Sequence, residues 1–139
     1  MKAHLTRRYR FCAAHRLHSD AMSDAENLAT YGKCNNPHGH GHNYLLEVTV
    51  SGQVNLHGMV CNLVELDEVV ERAVLSRYDH ENLNTLPDFA DAVPTSEILA
   101  ERIFNILRRE FRAAHLETVK LDETSLNSFE YAGGAERRR

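Results

Sequence analysis

Alternation of side chains governs the start of the chain. Ala3, Leu5, Arg7, Tyr9, Phe11, Ala13 and His15 share one phase, with the apolar end towards Phe11 and Ala13. Successive residues of a strand point to opposite faces, so this pattern predicts a strand ending at His15. Residues 16–33 follow as a long connection, and long connections tend to carry function. Within it, Ser23-Asp24-Ala25-Glu26 has the form of a capping box and predicts a short helical turn. A second strand places Tyr44, Leu46, Val48 and Val50 in one phase and Asn43, Glu47, Thr49 and Ser51 in the other, and Gly52 is expected to stop it. Carried backwards, the apolar phase meets His42 and His40. Residues i and i+2 on a strand lie about 6.5–7 Å apart on one face, so both imidazoles are expected on the side that Tyr44 and Leu46 bury.

The period then changes. Asn62-Leu63-Val64-Glu65 resembles a helix cap with its reciprocal Glu, and Leu63, Leu66, Val70, Ala73 and Val74 repeat at helical spacing, which predicts a helix over 63–77. Pro94-Thr95 starts a second helix with Leu99, Ile103, Ile106 and Leu107 as its apolar stripe. Two strands, near 118–124 and 127–132, close the chain around a short turn. The order β-β-α-α-β-β predicts an α+β fold: a four-stranded antiparallel sheet with two helices on one face, formed by residues 1–139 as a single domain.

Composition narrows the class. Apolar residues make up 42% and charged residues 26% of the chain, ordinary values for a globular protein. No apolar run approaches the roughly 18 residues of a membrane span. Met1-Lys2-Ala3-His4 starts no signal-peptide pattern, so a cytoplasmic protein that contacts no membrane is expected. The formal charge of −4 argues against nucleic-acid binding, and the basic run Arg137-Arg138-Arg139 reads as a solvated tail. Cys12, Cys34 and Cys61 are odd in number and irregular in spacing, which does not fit a disulfide framework.

Chemistry concentrates in Gly32–Tyr44, GKCNNPHGHGHNY. Of the chain's histidines, His4, His18, His57 and His115 read as surface or satisfied core residues, and His38 as loop surface. His15, His40 and His42 differ, because each lies at a strand end in phase with apolar neighbours. Burying three neutral imidazoles together is costly unless their nitrogens find partners, and a divalent cation satisfies all three. Three nitrogens leave one position of a tetrahedral Zn2+ free, as in a catalytic site. Cys34 has two readings: a fourth ligand closing the site, or a base or nucleophile held off the metal. Since the free thiol is mostly protonated at neutral pH, the second reading needs an activating partner. Asp79-His80 is the candidate, although adjacent Asp and His are not expected to orient each other. Glu123 shares a phase with Val119 and Leu121 and so points either to the buried face or, if the strand end frays, into solvent. A buried carboxylate there would suit an amino-pyrimidinone ring, whose ring N–H and exocyclic amine are parallel donors.

Together, FCAAHRL, ENLATYGKCNNPHGHGHNY, HGMVCNL, DHENLN, FADAVPTSE and ETSLNSFEYAG make the chain resemble the 6-pyruvoyl-tetrahydropterin synthase and 6-carboxytetrahydropterin synthase family over nearly its whole length. The resemblance implies the tunnelling fold (T-fold), in which the sheets of three subunits form a twelve-stranded barrel and two trimers stack into a homohexamer. It implies zinc on His15, His40 and His42, a catalytic set of Cys34, Asp79 and His80, and a pterin held by Glu123 with Thr95 and Glu97. Sites shared between subunits would let Asp79 and His80 serve a Cys34 on another chain. Ser96 stands where many relatives carry a second threonine, and His38 inherits no role. The implied reaction converts a small-molecule pterin triphosphate, 7,8-dihydroneopterin triphosphate, to 6-pyruvoyl-tetrahydropterin. A 6-carboxy product on the queuosine route is the alternative, but those relatives commonly have a shorter Cys-x-x-x-His-Gly-His loop, whereas five residues separate Cys34 from His40 here. A non-catalytic zinc or pterin-binding module, with Cys34 on the metal, is a further alternative. Arg7, Arg8, Arg16, Lys33 and Lys120 are candidates for the triphosphate, and their spacing selects none of them.

Overall fold

The computed structural model describes residues 1–134, so the Arg137–Arg139 run lies outside the described residues. Two long strands form the centre. Strand β1, Lys2–His15, pairs antiparallel with β2, His40–Gln53, in unbroken register from Lys2↔Gln53 to His15↔His40. Gly52 therefore does not end β2; it pairs with Ala3. Strand β3, Glu81–Asn82, runs parallel to the end of β1, while β4, His115–Asp122, and β5, Ser128–Tyr131, extend the other side antiparallel. The sheet order is β3-β1-β2-β4-β5.

This corrects the expected four-stranded antiparallel sheet, because a fifth strand is present and is parallel. The cause is local. Asp79 Oδ1 accepts from the Cys12 amide at 2.9 Å, and the His80 amide donates to the Cys12 carbonyl. Those two bonds lay the next two residues against Ala13 and Ala14.

Helix α1, Asp24–Tyr31, begins at the expected capping box: Ser23 Oγ accepts from the Glu26 amide and Glu26 accepts from the Ser23 amide. Helix α2, Leu63–Val70, is capped by the Asn62 side chain and continues through a π-helical turn, Glu71–Leu75, into the short α3, Ser76–Tyr78. Helix α4, Ser96–Glu110, starts behind Thr95, whose hydroxyl accepts from the Ile98 amide at 3.2 Å.

One sheet face carries Phe11, Tyr44, Leu46, Val48, Val50, Val119 and Leu121, which pack with Leu66, Val70, Leu99, Ile103 and Leu107 of the helices into one apolar core. Arg7 and Tyr9 fasten β1 to α2 through Asp67: the guanidinium binds its two oxygens at 3.0 and 2.8 Å, and the phenol donates at 2.8 Å. The other face is polar, with Thr6 bonded to Thr49 at 2.7 Å and Arg8 to Glu47 at 3.0 Å. Strand period alone produces this division, since polar residues occupy the alternate phase. No described helix is long and apolar enough to cross a membrane.

Candidate metal and ligand site

The register that ends β1 at His15 also sets His15 opposite His40 and Ala13 opposite His42. All three imidazoles then point to the helix-covered side. Their rings lie nearly perpendicular to one another, with centroids 4.7, 5.0 and 4.6 Å apart. One nitrogen from each falls within 4.8 Å of the others. The loop closes tightly above them: Gly39 has φ +74°, and a Cβ there would come 3.1 Å from the His15 carbonyl oxygen.

Hydrogen bonding directs the nitrogens. His15 is 1% exposed, and its Nδ1 donates to the Pro94 carbonyl at 2.8 Å, which leaves the Nε2 lone pair facing inward. That Nε2 lies 3.1 Å from His40 Nε2. So short a separation is accounted for by a proton on one of the two nitrogens or by a cation between them. Buried His42 Nε2 and His40 Nδ1 have no hydrogen-bond partner. Burial pushes the pKa of His15 and of His42 below the usual imidazole value, so both are neutral and free to act as ligands. Tetrahedral zinc with nitrogens at about 2.0–2.1 Å has N···N separations of roughly 3.3 Å, close to the His15–His40 distance. The donor set fits such a cation.

Glu123 follows β4 and points inward. Its side chain is 12% exposed, with Oε2 3.9 Å from His15 Nε2 and 3.7 Å from His42 Nε2. Ser96 Oγ donates to Oε2 at 2.7 Å and Asn127 Nδ2 to Oε1 at 3.2 Å. The solvent-exposed alternative for Glu123 is thereby excluded. Thr95 and Glu97 make no hydrogen bond to this carboxylate: the Thr95 hydroxyl caps its own helix and Glu97 is exposed. Of this segment it is Ser96, between them, that bonds to it.

Cys34 occupies a 3-10 turn, Gly32–Asn35, pinned beside the end of β1. The Leu17 amide donates to the Cys34 carbonyl at 2.7 Å, and Arg16 Nε donates to the Asn35 carbonyl at 3.1 Å. Its sulfur is not part of the histidine group. Burial, and then the nearby Glu123 charge, raise its thiol above the ordinary value, so these neighbours keep the sulfur protonated.

Asp79 and His80 stand elsewhere, at the β3 edge. No hydrogen bond joins them to Cys34. They do contact each other, with Asp79 Oδ1 3.0 Å from His80 Nδ1. His80 has φ +63°, and the pair meets at an ion-pair distance without a hydrogen bond that would orient the ring. The ring is 79% exposed. It borders a cleft of about 440 Å³ that Cys12, Gly41 and Asn43 also line.

Among the basic candidates, Arg7 and Arg8 are bound to Asp67 and Glu47, and Lys120 lies 4.0 Å from Asp122. Arg16 and Lys33 instead line one cleft of about 450 Å³ with Asn35 and Asn36, on the loop that carries Cys34.

An α+β chain whose paired strand ends bring three imidazoles against an inward carboxylate has a site that could hold a metal ion. The chain belongs to the 6-pyruvoyl tetrahydropterin synthase family, whose model matches residues 4–134. A 6-pyruvoyl tetrahydrobiopterin synthase of Drosophila melanogaster is 47% identical over 134 residues, covering 94% of this chain and 80% of the relative. Its counterpart from Homo sapiens is 45% identical over 134 residues, covering 95% and 92%. The structure of Caenorhabditis elegans 6-pyruvoyl tetrahydropterin synthase superposes with a TM-score of 0.91 at 40% identity, covering 96% of this chain and 97% of that one.

Proposed function

We infer that the chain is a triphosphate-eliminating carbon–oxygen lyase that converts 7,8-dihydroneopterin triphosphate to 6-pyruvoyl-tetrahydropterin, moving hydrogens internally without an external redox cofactor. The observation that carries this reading is the meeting of three convergent imidazoles with the inward, Ser96-bonded carboxylate of Glu123. His15, His40 and His42 would hold Zn2+, which when bound supplies Lewis acidity to the side-chain hydroxyls of the substrate. Glu123 accepts the ring N–H and exocyclic amine, fixing the pterin so that its side chain meets the sulfur. Thr95 and Glu97 flank the ring from either side of Ser96.

Cys34 takes a proton from the side-chain carbon, and His80 handles a second, its charge state set by Asp79. Burial and Glu123 hold the Cys34 thiol up, so the imidazole that lowers it has to approach from outside. Asp79 and His80 of a second subunit meet that need. The sheet edges support such an assembly: β3 covers β1 only at Ala13 and Ala14, and the opposite edge strand is the short Ser128–Tyr131. Long unpaired edges invite another strand, and closing a barrel removes them. The assembly proposed is the one that the family resemblance implies, a homohexamer built as a dimer of trimers.

Mass spectrometry of the product formed from 7,8-dihydroneopterin triphosphate by zinc-loaded protein tests the reading. A pyruvoyl product is expected, since relatives at 45% and 47% identity carry that name. A carboxylated product would overturn it. Sulfur coordinated at about 2.3 Å in the loaded protein would favour a closed, non-catalytic site.

A further inference from the structure

Tyr44 has no part in this scheme, yet its surroundings single it out. It lies on β2 in phase with His40 and His42, stacks on Phe11 at 5.0 Å between centroids, and is 1% exposed. Its ring meets that of His42 edge-on at 5.7 Å. The hydroxyl is buried without a hydrogen-bond partner. Phenylalanine would fill the same space and leave no donor unpaired, so stability does not account for this oxygen.

Its polar neighbours are Ser96, Glu123 and Cys34. Ser96, itself 2% exposed, spends its proton on Glu123 Oε2 at 2.7 Å. A hydroxyl that donates once can still accept twice, and no described donor uses the Ser96 oxygen. A donor without an acceptor therefore sits beside an acceptor without a donor. Strict hydrogen-bond geometry is not met between them, although both lie at the same inner end of the sheet, where the register that pairs Leu45 with Asp122 and Leu46 with Leu121 brings Tyr44 towards Glu123.

We propose that Tyr44 is a positioning residue for the ligand anchor: on ligand uptake its hydroxyl donates to Ser96 Oγ, and the chain Tyr44→Ser96→Glu123 holds the carboxylate in the orientation that receives the two ring donors. This rests on the reading of Glu123 as the anchor. Linked hydroxyls polarise one another, so the first bond strengthens the second. The direction is enforced, because a carboxylate only accepts and the phenol is the terminal donor.

The test uses full-length, zinc-loaded protein and neopterin as the probe, with the wild type compared with Tyr44→Phe, Ser96→Ala, the double variant and Glu123→Ala. Tyr44→Phe is expected to keep its metal content and melting temperature while binding neopterin about tenfold more weakly. Its KM for the triphosphate substrate rises more than its kcat falls. The double variant binds no more weakly than Ser96→Ala alone, because removing the middle link already disconnects Tyr44. Unchanged binding by Tyr44→Phe, or losses that multiply in the double variant, would overturn the relay. Lost binding in Glu123→Ala alongside normal binding in Tyr44→Phe leaves the anchor intact and removes the relay. Normal binding by Glu123→Ala removes the anchor, and the relay falls with it.

Discussion

Acidifying the metal-free protein should weaken it well before its carboxylates titrate, and the histidine cradle sets the size of the effect. His15 and His42 are held neutral by burial, with folded pKa values below the ordinary one. In the unfolded chain both titrate near about 6.5, so below that pH the unfolded state binds more protons and stability falls as pH falls. Each imidazole then costs up to about 1.4 kcal/mol per pH unit until its depressed folded value is reached. One unit below the unfolded value, the pair costs up to about 2.8 kcal/mol, a large share of a typical total of about 5–15 kcal/mol. Glu123 opposes this by favouring the charged rings, and His40 adds to it. With a urea slope of about 1.5 kcal/mol/M, the midpoint should drop by as much as roughly 2 M between pH 7.5 and 5.5. Urea melts of chelator-treated protein at those pH values, repeated on His42→Gln, measure it. The variant should lose about half the dependence. Two of the partly buried acids stay out of this window. Asp67 is held low by its bond to Arg7, and Asp88 is held low by Tyr78 and Arg77 in spite of its burial, so both titrate further down. A midpoint that stays level to pH 5.5, or an equal drop in His42→Gln, would refute the account.

Further outcomes follow from the same geometry. Cys34→Ala should bind neopterin and metal normally while turnover falls by about 10²–10⁴, the usual contribution of a positioned base; near-normal turnover would remove Cys34 from the chemistry. His42→Ala should lose metal, and elemental analysis finding one zinc per chain would contradict its place as a ligand. Gly39→Ala forces a side chain into left-handed φ and against the His15 carbonyl, so a loss of about 2 kcal/mol or more is expected in a denaturant melt, together with weaker metal retention. Unaltered stability there would mean that the loop relaxes freely.

The histidine cradle was readable in the sequence because a strand has an exact period of two: His40, His42 and Tyr44 had to share a face, and His15 continued the phase of Phe11 and Ala13. The same period puts Glu123 in phase with Val119 and Leu121, but its place one residue beyond β4 leaves its direction to be decided by Ser96 and Asn127. Other features depend on backbone angles and cross-chain contacts that no local pattern encodes. The approach of His80 to Asp79 occurs at a positive φ of His80, which non-glycine residues rarely adopt. Strand β3 has two residues and exists because Cys12 offers its amide and carbonyl at the sheet edge. Ser96 was noted only for keeping a hydroxyl, since its aim at Glu123 depends on how α4 meets the end of β4. Tyr44 looked like one more core aromatic, and its unpartnered oxygen becomes visible only once every neighbour is placed.

The bond from His15 to the Pro94 carbonyl reaches further than the choice of tautomer. It clips the rim of the sheet to the residue from which Thr95 and Ser96 enter α4. Filling or emptying the cradle therefore tugs on the same short segment that steadies Glu123. Chelator-treated protein should therefore exchange the amides at the entrance to α4 faster with solvent than zinc-loaded protein, and bind neopterin more weakly.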